Sequence, residues 1–176
     1  VKQFCLETGI VFESQGVVDE DRGATRVYAQ NHQTSKRHTS HCSTNSIIDH
    51  RLDPDPKNWT PSGWSVENTP TITELHPAWQ ELSGEVDLLL AGPPCQGHSN
   101  LNNHTRRDDD RNEAYLDVPA LAIALDIPVV IIENVPAVIY DAREVVDKAK
   151  KLFESNHYHV ETGLLKAADM GWPQTR

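Results

Sequence analysis

Cysteine is scarce in this sequence of 176 residues, whose three cysteines are Cys5, Cys42 and Cys95. An odd number cannot pair completely into disulfides, and the spacings do not match the paired ligands of a zinc site. The sequence therefore implies neither a disulfide framework nor a zinc site. Free thiols survive in reducing compartments, so we expect an intracellular protein.

Long apolar runs are missing as well. No stretch approaches the roughly 20 apolar residues of a membrane-spanning helix, and no charged-then-apolar signal peptide opens the sequence. Hydrophobic residues make up 38% of the chain, which is low but still allows a folded core. A chain of this length predicts one domain without a membrane segment.

Basic residues are fewer than acidic residues in this sequence. Lysine and arginine total 16 against 26 acidic residues, which gives a formal net charge of −10. That sign is wrong for an isolated nucleic-acid-binding module, although a sum over the whole chain does not exclude a local basic face. The acidic balance therefore argues against a self-sufficient DNA-binding module and says little against a catalytic region.

Two apolar runs end in reactive side chains. Residues 87–91 read as a buried strand that stops at Gly92 and two prolines, which cannot continue a strand, and Cys95 follows at once. Residues 129–132 read as a second buried strand and end in Glu133. Strands of this kind are typical of a parallel sheet covered on both faces. A helix between them would complete a βαβ unit and bring Cys95 and Glu133 to one sheet edge.

The alternative for each residue is a structural role. A free cysteine is most often a small buried hydrophobic residue, and a glutamate after an apolar run can form a salt bridge. A lone Cys95 would favour that interpretation. Its position beside Glu133, at two neighbouring strand ends, favours a catalytic site instead.

Three short motifs, in this order, resemble those of one known family. Pro-Pro-Cys-Gln-Gly at residues 93–97 resembles the nucleophile motif of cytosine-5 DNA methyltransferases, and Glu-Asn-Val at residues 133–135 resembles a second motif of that family. Gly-Trp-Pro-Gln-Thr-Arg at residues 171–176 is similar to the start of the family's Gln-x-Arg-x-Arg motif. The chain is therefore identified as a member of this family.

The resemblance implies a doubly wound, mostly parallel α/β fold of the Rossmann-like, S-adenosylmethionine-dependent type. Residues 1–176 would form one partial catalytic domain, incomplete at both ends, because the family's recognition domain and second motif arginine would follow residue 176. The implied activity is methyl transfer from S-adenosylmethionine to carbon 5 of a flipped cytosine in double-stranded DNA, through a covalent cysteine adduct. The implied protein is a monomer, cytoplasmic or nucleoid-associated, with no membrane or metal partner.

The family's catalytic roles carry over to the matching positions. Cys95 is the implied nucleophile, and Glu133 is the carboxyl group that contacts ring nitrogen 3 and the exocyclic amino group of cytosine. Asn134 is implied to hold the loop, and Arg176 matches the first arginine of the last motif.

The cofactor site is implied in the same way. Phe4 matches the first residue of the family's Phe-x-Gly-x-Gly loop, although Leu6 stands where a glycine is expected. Asp19 would bind the ribose hydroxyls, Glu20 would lie beside the adenine, and Pro94 would shape the loop next to the cofactor. The alternative for Asp19 is a solvated acidic turn in front of a helix.

The polar loop over residues 96–112 is the implied lid over the DNA backbone, which suits cationic side chains beside a nucleophile. Three consecutive acids at residues 108–110 oppose this role, and the alternative is a solvated loop. The residues expected to contact the substrate are Gln96, Ser99, Arg106 and Arg111.

The remaining pattern predicts further elements. The N-terminal half should contain a strand over residues 16–21 and a helix over residues 22–32, capped by Asp21, with Ala24, Val27, Tyr28 and Asn31 on one face. An irregular excursion rich in proline and tryptophan spans residues 49–83, with a short helix near residues 72–82.

The C-terminal half is predicted to be more regular. The crossover helix covers residues 113–125 despite Pro119. Asp141 caps an amphipathic helix whose apolar face consists of Val145, Val146, Ala149, Leu152 and Phe153. Residues 158–166 alternate as a strand does, and residues 167–176 form a final turn.

Two other functions stay open. One is an RNA-directed cytosine-5 methyltransferase, although Gly-His-Ser at residues 97–99 resembles the DNA enzymes more closely. The other is a degenerate, non-catalytic methyltransferase-like binding module. Leu6, and Ser43 where the family has an adenine-binding aspartate, favour that module, whereas Cys95 and Glu133 oppose it.

Overall fold

The computed structural model describes residues 7–19, 21–32, 39–41, 77–94, 114–140 and 144–173. In these ranges four short strands form two parallel two-stranded sheets, and helices separate the strands along the chain. The predicted α/β class with parallel strands is confirmed, while the doubly wound strand order stays a prediction. The strands are β1 (Val17–Asp19), β2 (Thr39–His41), β3 (Leu88–Ala91) and β4 (Val129–Ile132). The α-helices are α1 (Arg22–His32), α2 (Pro77–Gln80), α3 (Ala114–Ala124) and α4 (Val145–Ser155).

The pair of β3 and β4 forms the predicted βαβ unit. Parallel strands cannot be joined by a tight turn, and α3 supplies the crossover that they need. The register pairs Leu88 with Val129 and Ala91 with Ile132, so both strands end at the same level. The segments that follow Ala91 and Ile132 therefore leave the sheet at one edge.

Helix α3 is the central element of this unit. Residues 115–122 are all buried, as expected of a helix that is apolar around most of its circumference. Pro119 is fully buried inside it and cannot donate the usual helical hydrogen bond. Packing on all sides keeps the helix continuous, which confirms the prediction of a helix despite this proline.

The main core lies between α3 and one face of the β3–β4 sheet. Leu89 and Val130 point toward this core, in which the buried side chains are Trp79, Leu82, Ala120, Leu121, Ala122, Leu125, Ile127 and Phe153. On the opposite face Leu90, Val129 and Ile131 are each about half exposed, at 53%, 51% and 52%. The predicted cover on both faces of β3 and β4 is therefore not found, because these alternate side chains are half exposed and pack against no helix of the described part of the chain.

Helices α3 and α4 end in the same motif. Beyond α3, Ile127 N–H donates to the carbonyl of Ala122 at 2.9 Å and Asp126 N–H donates to that of Ile123 at 3.2 Å. This is the Schellman arrangement, and it places Asp126 in the left-handed region at φ 56°. His157 takes the equivalent place after α4, at φ 68°.

Tyr158 joins the ends of the two helices. Its hydroxyl donates to the carbonyl of Ile127 at 2.8 Å and lies 3.4 Å from that of Ala122. Its ring packs on Phe153, with 5.0 Å between the ring centroids. The segment that enters β4 is therefore tied to the C-terminal end of α4.

The buried face of α1 differs from the predicted one. Thr25 is buried and Tyr28 and His32 are half-buried, whereas Ala24 and Val27 are exposed. The rings of Tyr28 and His32 lie 4.3 Å apart between centroids, and Phe12 meets His32 edge-on. The buried face of α1 is therefore the face that contacts the preceding segment, and not the face that carries Ala24 and Val27.

Three predicted elements also differ from the structure. Residues 158–166 form no strand, because the alternation there reflects Tyr158 and Val160 packing on the core without a ladder. Helix α4 begins after Glu144, which occupies the N-cap position that was predicted for Asp141. Near residues 72–82, helix is present only at Pro77–Gln80 within the described part.

Short 3-10 helices follow β4 and end the described chain, at Pro136–Tyr140 and Ala167–Met170. The apolar face predicted for α4 is confirmed, since Val145, Ala149, Leu152 and Phe153 are buried. None of the described helices is long and apolar enough to cross a membrane.

Candidate active site

A backbone hydrogen bond joins the two chain segments at the edge of the sheet where β3 and β4 end. Glu133 N–H donates to the carbonyl of Ala91 at 2.9 Å, so the parallel ladder continues one residue past β4. The Glu133 side chain is exposed at this edge, while Pro93 and Pro94 are half-buried on the neighbouring segment. The predicted meeting of the two motifs at one sheet edge is confirmed up to Pro94, the last described residue before Cys95.

Asn134 links the two motifs through its side chain. Its Nδ2 donates to the carbonyl of Pro93 at 3.2 Å, and its Oδ1 accepts a hydrogen bond from Val135 N–H at 2.8 Å. The donor and the acceptor of the Asn134 side-chain amide are therefore both hydrogen-bonded to backbone groups. Sequence alone associated Asn134 with this loop but did not identify Pro93 and Val135 as its partners.

A second buried cluster packs against Ile132, the last residue of β4. The side chains of this cluster come from α3, from the 3-10 helix after β4 and from α4: Tyr115, Leu116, Val138, Val145 and Ala149. Burial raises the pKa of the Tyr115 hydroxyl above its ordinary value. The strand end that carries Glu133 therefore rests on packed side chains.

Asp117 is a feature that the sequence did not single out. It lies in the first turn of α3 and is only 2% exposed. Burial of a carboxylate costs free energy unless the group is hydrogen-bonded. Asp117 is therefore part of the packed interior around the crossover helix and is not a solvated surface acid. The sequence signal was one acidic residue inside an otherwise apolar helix.

The carboxyl end of β1 forms a second polar edge. Asp19 is exposed there, and one of its carboxylate oxygens accepts a hydrogen bond from Asp21 N–H at 2.8 Å. Asp21 in turn accepts from Gly23 N–H at 2.6 Å and Ala24 N–H at 3.3 Å. The predicted N-cap at Asp21 is confirmed, and the exposed Asp19 carboxylate has acceptor capacity beyond its one hydrogen bond from Asp21 N–H.

Most predicted site residues lie outside the described part of the chain. The described ones are Asp19, Pro94, Glu133 and Asn134, of which the last three meet at one edge. The others are Phe4, Glu20, Cys95, Gln96, Ser99, Arg106, Arg111 and Arg176. Among the described residues no group of three histidine, cysteine or acidic side chains is placed to hold a metal ion.

Comparison with known proteins is consistent with this arrangement. Residues 56–176 match the family described as C-5 cytosine-specific DNA methylase. A type II methyltransferase of Bacillus subtilis, M1.BsuMI, is 39% identical over 92 residues, which cover 52% of this chain and 22% of that protein. M.DdeI of Desulfomicrobium norvegicum, also a type II methyltransferase, is 30% identical over 129 residues, or 67% of this chain and 31% of that protein.

Similarity extends to plant proteins. DNA (cytosine-5)-methyltransferase 3 of Zea mays is 31% identical over 100 residues, which cover 54% of this chain and 11% of that protein. The chain thus spans less than a third of the length of each of these relatives. The family match covers well over half of the chain, and it includes both segments of the edge formed by β3 and β4. This chain belongs to the C-5 cytosine-specific DNA methylase family.

Proposed function

We propose that the protein is a DNA cytosine-5 methyltransferase, which acts as a monomer inside the cell on a flipped cytosine of double-stranded DNA. The observation that carries the proposal is the hydrogen-bonded edge at which the segment leading into Cys95 lies beside Glu133 and Asn134. A nucleophile and a carboxyl group at neighbouring strand ends can act on one planar base between them.

Cys95 is the proposed nucleophile. Carbon 5 of cytosine is a weak nucleophile, and addition of the Cys95 thiolate to carbon 6 makes carbon 5 electron-rich. A thiolate is suited to this step because it forms near neutral pH, adds readily and can leave again. After carbon 5 has gained a methyl group and lost its proton, elimination of Cys95 restores the aromatic ring.

Glu133 is the proposed partner of the base. Addition at carbon 6 pushes electron density onto ring nitrogen 3, where a carboxyl proton or hydrogen bond lowers the barrier. The same carboxyl group can accept a hydrogen bond from the exocyclic amino group, which distinguishes cytosine from thymine. Its exposure at the sheet edge leaves Glu133 accessible to an incoming base.

The proposed cofactor is S-adenosylmethionine, which when bound supplies an electrophilic methyl group. Asp19 fits this ligand, because an exposed carboxylate at the carboxyl end of a parallel strand can accept hydrogen bonds from two ribose hydroxyls. We assign Phe4, Glu20 and Pro94 to the same site.

The polar loop after Cys95 is assigned to DNA. Gln96 and Ser99 would contact the flipped nucleotide and its surroundings, while Arg106 and Arg111 would bind phosphates. Arg176 is assigned to the catalytic site as the match to the first arginine of the family's last motif.

Covalent trapping tests the proposal. In the presence of S-adenosylmethionine, a duplex that carries 5-fluorocytosine should form a stable adduct with the full-length protein, because after methyl transfer the fluorine at carbon 5 cannot leave as a proton and Cys95 is not eliminated. Peptide mapping should place the adduct on Cys95, and Cys95→Ala should abolish it while the protein stays folded. An adduct on Cys5 or Cys42 would refute the assignment of the nucleophile.

The same assay distinguishes the two other functions. A protein that binds S-adenosylmethionine and duplex but forms no adduct is a non-catalytic binding module. Capture of a 5-fluorocytosine RNA in preference to the duplex identifies an RNA-directed enzyme.

A further inference from the structure

A short 3-10 helix, Pro136–Tyr140, lies at the edge of the sheet where Glu133 is exposed. This helix joins the end of β4 to the segment that leads into α4, and Val138 anchors it with only 7% of its surface exposed. Val138 packs with Tyr115 and Val145, from the first turns of α3 and α4, in the cluster that contacts the end of β4. The 3-10 helix is therefore fixed to the packed end of the β3–β4 unit.

The two residues that follow this anchor are large, apolar and exposed. Ile139 is 59% exposed and Tyr140 is 83% exposed, although Val138 beside them is buried. Three residues make one turn of a 3-10 helix, so one side chain of a turn can be packed while the next two face solvent. Val138 N–H also donates to the carbonyl of Val135 at 3.0 Å, which holds the turn at its start. The exposure of Ile139 and Tyr140 therefore belongs to an anchored turn and not to a loosely packed loop.

Ile139 and Tyr140, which we call the rim pair, have the composition of a contact surface. A single exposed apolar residue is normal on a protein surface and needs no explanation. Here two stand side by side, one of them aromatic, on the segment that directly follows Glu133 and Asn134. Tyrosine is enriched at interfaces because its ring offers a large apolar area at a small cost in conformational entropy. The rim pair is therefore placed to contact a substrate that approaches Glu133.

The charge at this edge indicates which part of a duplex suits the rim pair. Phosphates are negative, and both the exposed Glu133 carboxyl group and the formal net charge of −10 oppose a phosphate contact. Deoxyribose and the faces of the bases are uncharged, and they can pack on an apolar or aromatic side chain. The rim pair therefore suits the sugar and base of a nucleotide and not its phosphate.

We propose that Ile139 and Tyr140 form an apolar contact surface for the sugars and bases of the duplex next to the flipped cytosine. This inference rests on the proposed function, in which the duplex delivers that cytosine to Glu133. A base that leaves the stack exposes the faces of its neighbours, and an aromatic ring can replace part of the lost stacking. The rim pair holds the duplex and takes no part in the chemistry of methyl transfer.

The experiment measures covalent capture by the full-length protein, in the presence of S-adenosylmethionine, of a mixed-sequence duplex in which 5-fluorocytosine replaces cytosine. The capture rate is followed as the duplex concentration rises, which separates the duplex concentration for half-maximal rate from the maximal rate. Tyr140→Ala should raise the half-maximal concentration about tenfold, the size expected for loss of one aromatic stacking contact. Ile139→Ala should raise it roughly threefold, and the maximal rate should stay within about twofold of wild type in both variants.

Salt dependence distinguishes an apolar contact from a phosphate contact. Neutralised phosphates release counterions, so the half-maximal concentration rises with salt, and its logarithmic slope falls by about one when one phosphate contact is lost. Tyr140→Ala should keep the wild-type slope, whereas Arg106→Ala, at a residue assigned to phosphate, should reduce the slope by about one. Tyr140→Phe keeps the ring and should stay within about twofold of wild type at every salt concentration.

Val11→Ala is the matched control for removal of an exposed apolar side chain. Val11 is 89% exposed and lies in the segment before β1, outside the β3–β4 unit. Its half-maximal concentration and its maximal rate should both stay within about twofold of the wild-type values, as expected of a surface substitution away from the site.

Each outcome bears on one of the two proposals. A wild-type protein that captures no duplex overturns the proposed function and this inference with it. Wild-type capture with an unchanged half-maximal concentration in Tyr140→Ala overturns the contact surface alone, and so does a lower maximal rate without a change in that concentration. A salt slope that Tyr140→Ala lowers as Arg106→Ala does assigns Tyr140 to phosphate and overturns the apolar contact. Equal losses in Val11→Ala show a general effect and likewise overturn it.

Discussion

Glu133 donates its backbone N–H to the carbonyl of Ala91 at 2.9 Å, one residue beyond the last paired position of β4. This bond fixes the Glu133 backbone against the segment that leads to Cys95, while the carboxyl group itself stays exposed. A side chain placed by backbone in this way can be replaced without loss of the edge.

Glu133→Gln should slow methyl transfer on the order of a hundredfold or more, because an amide cannot supply the proton that a carboxyl group supplies to ring nitrogen 3. Single-turnover transfer to a cytosine duplex measures this step, and the dissociation constant for S-adenosylmethionine should hardly change. Glu161→Gln, an exposed acid bonded to His159, is the control. Loss of cofactor affinity with normal chemistry would show that Glu133 does not face the base.

Asp19→Ala should weaken binding of S-adenosylmethionine by about tenfold or more, the size expected for charge-assisted hydrogen bonds to ribose hydroxyls. Titration calorimetry measures the dissociation constant. Asp19→Asn is the matched variant, because it preserves an acceptor for Asp21 N–H and removes only the charge. An unchanged constant in both variants would identify a solvated acidic turn.

Tyr158→Phe should lower the free energy of unfolding by about 1 kcal/mol, since it leaves the Ile127 carbonyl without the hydroxyl donor. Urea unfolding near neutral pH measures the loss. Tyr140→Phe is the control, because the Tyr140 side chain is 83% exposed and removal of its hydroxyl should cost little. Equal stability of Tyr158→Phe and wild type would mean that this bond contributes nothing net.

The same tyrosine predicts a pH dependence. Burial, and then the charge of Asp126, raise the pKa of Tyr158 above 10.0 in the folded protein. The unfolded chain therefore releases this proton first, so stability falls as pH rises from about 10 toward the folded-state pKa. Tyr158→Phe should flatten this decline without abolishing it, because burial also raises the pKa of Tyr115. An equally steep decline in the variant would contradict the prediction.

Asp126→Gly should raise the free energy of unfolding by up to about 1 kcal/mol, because Asp126 is held at φ 56° after α3, where glycine is not strained. His157→Gly, at φ 68° after α4, should behave alike. Lys151→Gly in the interior of α4 is the opposite control and should lower stability by about 1 kcal/mol. Thermal unfolding of the three variants tests the signs.

The sequence by itself determined the parts that follow from local chemistry. Prolines after an apolar run end a strand because they lack N–H groups, which is why β3 and the place where it ends could be anticipated. Asp21 could be identified as a cap from its place before a helix, and the apolar spacing of α4 named its buried side chains. The motifs around Cys95 and Glu133 likewise identified the family.

Only the tertiary structure decided which surfaces meet. The buried face of α1 follows from its contact with Phe12, and the segment after Tyr158 alternates without pairing because the core takes its side chains. The hydrogen bonds of Asn134 could not be foreseen, since they depend on the separation of two backbone segments that are 41 residues apart in the chain. Periodicity reports which side chains are apolar, whereas the partner of a polar group is fixed by distances that exist only once the chain is folded.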